Sequence, residues 1–134
     1  MSIDYATLEN SLKKLECRTN FRLKKITEYM LPHCKHAFYL HREGEQGKLV
    51  LMPALQPFVA DLAAIPGVRA KADFYHNAEM TRFPKRLHTG RSEIHYGLPF
   101  EFDNEAAVEA FIGMLCSIVN PSQAPADEEE KAPD

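Results

Sequence analysis

The chain has 134 residues, 45% hydrophobic and 26% charged, with a formal net charge of −3. That size and balance suit one globular domain with a core of its own. They argue against a membrane span, because the longest apolar run, "AFIGMLCSIV", is about half the length one needs. Three cysteines, Cys17, Cys34 and Cys116, follow no framework spacing, and "MSIDYATLEN" lacks the basic-then-apolar order of a signal peptide. A reduced, cytoplasmic protein is therefore expected.

The charge is unevenly spread. Residues 121–134, "PSQAPADEEEKAPD", carry five acidic residues and one lysine, a net of −4, which leaves 1–120 at +1 (15 basic against 14 acidic). The last segment has no aliphatic anchor to offset its ordering entropy, so a globular domain over 1–120 and a disordered acidic tail over 121–134 are expected. A sharper reading makes the tail a screen for a basic surface on the same chain.

In chain order, Asp4 suits the cap of a first helix, with Leu8, Leu12, Leu15, Leu23, Ile26 and Met30 at helical spacing up to Pro32. On that helix Lys14, Arg18, Arg22 and Lys25 would form a basic stripe beside the apolar one. "HAFYLHRE" and "KLVLMP", with "GEQG" between them, read as an antiparallel hairpin with a turn of several residues. Pro57 suits the first turn of a short helix in which Phe58, Leu62 and Ile65 face inward. "VRAKADFYH" alternates as a strand, and "EIHYGLPFEF" follows as another, bent or left at a sheet edge by Gly97 and Pro99. Asp103 is placed to cap a last helix whose buried stripe is Val108, Phe111, Leu115 and Ile118. The order α-β-β-α-β-β-α predicts an α+β fold: a mostly antiparallel sheet of about four strands with helices on one face.

Between the last two strands lies "HNAEMTRFPKRLHTGR", residues 76–91, longer than typical connections in a compact domain. Phe83 and Leu87 would pin it to the body, leaving Arg82, Lys85, Arg86 and Arg91 projecting with no acidic residue between 80 and 92. Cations interleaved with rings suit phosphates and bases. The expected site is Arg69, Lys71, Tyr75, Arg82, Phe83, Lys85, Arg86 and Arg91, and the expected partner is nucleic acid or another polyanion. The near-neutral body argues against tight, indiscriminate coating of DNA.

Two other readings compete. One is a protein-interaction module docking a partner or a second copy through an apolar edge near "YGLPFEF". The other is metal-free phosphodiester cleavage by His76 and His95, should pairing of their strands bring the imidazoles together. His33, Cys34, His36 and His41 are zinc-type ligands, but no second spaced pair completes a site, so neither metal nor cofactor is expected. No phosphate-cradling glycine loop, dinucleotide fingerprint or nucleophile elbow identifies a reaction.

Overall fold

The computed structural model describes residues 2–32, 35–87 and 93–119. Its order is α1 (Tyr5–Lys14), β1 (Arg18–Arg22), β2 (Ile26–Met30), β3 (Ala37–Glu43), β4 (Gln46–Leu51), a 3-10 helix (Pro53–Phe58), α2 (Val59–Ala63), β5 (Val68–Ala70), β6 (Tyr75–His76), β7 (Lys85–Leu87), β8 (Glu93–Phe102) and α3 (Glu105–Val119). The fold is α+β, but the antiparallel sheet has eight strands rather than about four, in the order β1-β2-β3-β4-β8-β5, with β6 and β7 also pairing with β8.

The first difference is at the N-terminus. The Asp4 carboxylate accepts from the Thr7 amide at 2.9 Å, so the helix starts as its sequence dictates. It stops at Lys14. The Cys17 amide donates to the Leu12 carbonyl at 3.1 Å and the Glu16 amide to Lys13 at 3.0 Å, with Glu16 left-handed at φ 67°. That is a Schellman stop built on glutamate, where glycine usually signals it. "RTNFR" and "ITEYM" then form a hairpin, so the predicted basic stripe does not exist. Lys14 pairs with Glu105 at 3.8 Å, Arg22 pairs with Glu9, and Lys25 sits in the hairpin turn.

The β3–β4 hairpin is present, but its turn is two residues, Gly44 and Glu45, with Glu43 opposite Gln46 and Gly44 at φ 64°. Phe58, predicted inward, is 37% exposed, while Leu62 is buried. The Asn104 side chain, not Asp103, caps α3 by accepting from the Ala107 amide at 2.8 Å. Asp103 instead receives Arg69.

The helices cover one face of the sheet. Leu8, Leu12, Leu62, Val108, Phe111 and Leu115 pack against Phe38, Leu40, Leu49, Leu51, Leu98, Phe100 and Phe102. Phe111 lies 5.0 Å from Phe100 and 4.9 Å from Phe102, ring centre to ring centre. Burying each such side chain contributes about 1.5–3 kcal/mol. The second face carries a smaller cluster, Ile26, Tyr39 and Val50, covered by Met80 and Phe83 from the 77–84 segment.

β8 is the axis of this arrangement rather than an edge. β4 lies along one side; β5 and β6 lie along the other. The predicted single strand 68–76 is broken because four residues (71–74) separate β5 from β6 while only Leu98 and Pro99 separate their partners on β8. Pro99 accounts for the break. The Lys71 amide donates to its carbonyl at 3.0 Å, and proline has no N–H to return. The chain bulges there and lifts Phe74 out of register.

Candidate functional site

On the second face, Glu28 is 1% exposed and fully engaged. The Tyr39 hydroxyl donates to one of its oxygens at 2.7 Å; Asn20 Nδ2 at 2.7 Å and Arg82 Nε at 2.6 Å donate to the other. The Arg82 amide donates in turn to the Tyr39 hydroxyl at 3.2 Å. Phe83 stands edge-on to the Tyr39 ring at 4.8 Å, so the 77–84 segment is a strap held by two buried side chains and one ion pair. Burial pushes the Glu28 carboxyl up, but donation from Tyr39, Asn20 and Arg82 outweighs it and holds the group below its ordinary 4.5. A carboxylate depressed on folding stabilises the fold above its unfolded value and loses that contribution as pH falls through the folded value. Wild type should therefore lose stability below about pH 4.5, and Glu28→Gln should flatten that acid limb in denaturant melts at pH 7 and pH 3.5. An unchanged acid limb in the variant would remove Glu28 from the account.

The same face carries a row of cross-strand charges. Arg69 donates to Glu101 at 2.8 Å, to Asp103 at 2.9 Å and to Ser2 at 2.6 Å; Lys71 reaches Glu101 at 3.6 Å and Lys48 reaches Glu43 at 3.1 Å. Tyr75 lies against His41, ring centres 4.4 Å apart, and its hydroxyl accepts from Asn77 Nδ2 at 2.9 Å. An open cleft of about 420 Å³ lies between Lys48, Lys71, Tyr75 and Pro99, with Asp73 also on its wall. Its charges are largely cancelled by neighbouring carboxylates. Arg69, Lys71 and Tyr75 thus belong to this face and Arg82 and Phe83 to the strap. None of the five joins the predicted loop surface.

The remaining predicted cations lie elsewhere. Residues 85–87 are not loop but a strand, pairing Lys85 with His95, Arg86 with Ile94 and Leu87 with Glu93. β7 pairs with the start of β8, and the two form a two-stranded arm whose β7 side chains are exposed. The Tyr96 amide donates to the Pro84 carbonyl and the Asn77 amide to the His95 carbonyl, both at 3.0 Å, anchoring the base of the arm on both sides. Opposed residues and alternate residues share a face, and adjacent ones do not. Lys85, Leu87, Glu93 and His95 therefore occupy one face of the arm, and Arg86, Ile94 and Tyr96 the other. Lys85 and Arg86 are exposed and have no carboxylate at ion-pair distance among the described residues. Arg91 and His88 lie outside the described residues.

Arg86 rests on rings. Its guanidinium carbon is 4.9 Å from the centre of Phe74 and 5.4 Å from that of Tyr96. Those rings meet edge-on at 5.1 Å, and His76 stacks on Tyr96 at 6.1 Å. Alternation alone puts Phe74 on one face with Val68 and Ala70, and Tyr96 on one face with Leu98 and Phe100, and gives no sign of a cation resting on their rings. The bulge at 71–74 and the end of the helix layer leave both half-buried.

The two histidines are not brought together. His76 opposes Tyr96 and shares its face, while His95, one residue earlier, faces the other way with Nδ1 2.6 Å from the Phe83 carbonyl. The apolar segment "YGLPFEF" is likewise not an edge: Leu98, Phe100 and Phe102 lie in the main core. Among the described residues no three histidine, cysteine, aspartate or glutamate side chains group as metal ligands, and His33 and Cys34 lie outside them. No helix among the described residues is long and apolar enough to cross a membrane. The chain matches no protein-family model and no curated protein.

Proposed function

We propose that this chain is a small cytoplasmic accessory module that binds an anionic polymer, nucleic acid, through the β7–β8 arm. The observation that carries the reading is the contrast among its cations. Arg69, Lys71 and Arg82 are paired with carboxylates of this chain, whereas Lys85 and Arg86 sit on an exposed ribbon without such partners among the described residues. Their opposite faces suit a ribbon lying between phosphates, since each face then meets a different part of the backbone. Arg91, between the two strands in sequence and outside the described residues, is the third cation of the proposed site. With a body charge near zero, binding should be modest and governed by these few contacts.

Titration with short oligonucleotides at 50 and 200 mM salt tests the reading. Three phosphate contacts predict a log–log slope of about −2, or roughly a 20-fold loss of affinity across that range. A second reading has its own observation: Leu87, on the same arm, is 57% exposed and apolar. A protein partner docking on Leu87 would bind with little salt dependence. No oligonucleotide binding at 50 mM salt would give that reading first place.

A further inference from the structure

We infer that the face of the arm built from Phe74, Tyr96 and Arg86 is a stacking shelf for an unpaired nucleobase, so that the ligand is single-stranded rather than duplex. This rests on the nucleic-acid reading above and adds the form of the ligand to it. The Arg86 guanidinium carbon lies over both rings, 4.9 Å and 5.4 Å from their centres, and Arg86 is exposed. The two rings meet edge-on, so the guanidinium can lie flat against only one of them; its outer side is left to a flat partner, and guanidinium stacks on such planes where ammonium does not. His76, stacked on Tyr96 within 26° of parallel, extends the aromatic surface along the strand.

The place in the fold supports a ligand role over a core role. Further along β8, Leu98, Phe100 and Phe102 are sealed beneath the helices, while Ile94 and Tyr96 on the same face stay half-buried. The positive charge sits on the shelf itself, where a base and its phosphate arrive together. A duplex keeps the faces of its bases covered by their neighbours and offers the shelf only its backbone. An unpaired base gains by stacking whatever its identity.

The experiment uses the full chain and three probes of one mixed sequence: single-stranded DNA, single-stranded RNA and the blunt DNA duplex, each of twelve positions, at 50 mM salt. The informative variant is Arg86→Lys, which keeps the charge, removes the plane and lies on an exposed side chain. Wild type should bind either or both single strands at least about tenfold tighter than the duplex, the size expected for one stacked base. Arg86→Lys should lower single-strand affinity about fivefold or more while leaving duplex affinity within about twofold. The relative affinities of the two strands show whether the 2′-hydroxyl contributes. Duplex binding as tight as single-strand binding, or unchanged single-strand affinity in Arg86→Lys, would overturn the shelf and leave the charged arm standing. Failure of all three probes to bind would overturn both.

Discussion

Gly97→Ala is expected to lower the melting temperature by about 10 °C, the largest effect expected for alanine at any of the described glycines. A Cβ built at Gly97 would stand 2.6 Å from Val50 Cγ1, 2.7 Å from the Leu51 carbonyl oxygen and 2.9 Å from Phe83 Cε2. Val50 is fully buried and stiff at χ1, and the Leu51 carbonyl cannot move because Leu51 is paired in register with Leu98 on the neighbouring strand. Phe83 is 3% exposed and wedged edge-on against Tyr39, so it has little room to retreat. The methyl group would have to push β4 away from β8 or lift the strap from the second face. Overpacking of this kind costs ~3 kcal/mol, a large share of the stability of a domain of this size. Thermal unfolding by circular dichroism measures it. A shift under about 3 °C would mean that β4, β8 and the strap are not as closely packed at Gly97 as described.

The helix–sheet division was legible where period and signal agreed. α3 followed from Val108, Phe111 and Leu115, the β3–β4 hairpin from two β-rich runs around a glycine, and the start of α1 from Asp4. The first thirty residues were misread for two physical reasons. Leu23, Ile26 and Met30 happen to continue the helical spacing of Leu8 and Leu12, and the true stop places glutamate, not glycine, in the left-handed region at residue 16. Losing that hairpin also hid Glu28. Its partner Arg82 is 54 positions away, so no local pattern could show that one cation of the basic stretch was already taken. The strand count failed because β1 and β2 continued a helical spacing, β5 and β6 alternated as one strand until the bulge at 71–74 divided them, and β7, three residues long, lay in the basic stretch. Of the candidate site, the chemistry of Lys85 and Arg86 was visible and their setting was not. A basic loop became a ribbon only because Glu93–His95 pairs with it.

Reversing both arm cations, Lys85→Glu with Arg86→Glu, should abolish polyanion binding while leaving the fold intact. The two substitutions change the charge of the arm by four units, remove two phosphate contacts and set two carboxylates against the ligand backbone. At 50 mM salt the expected loss is at least about 100-fold, enough to remove detectable binding. The fold should survive because both side chains are exposed and neither reaches a core cluster. Exposed charges contribute at most ~1 kcal/mol each, and the contact of Arg86 with its rings about as much again. The melting temperature should therefore fall by only a few degrees. The decisive measurement is fluorescence anisotropy of a labelled single-stranded oligonucleotide at 50 mM salt, titrated with wild type and with the double variant at matched folded concentration. The arm account predicts saturable binding by wild type and none by the folded double variant. Equal affinity of the two proteins would contradict it and place the ligand surface elsewhere on the molecule.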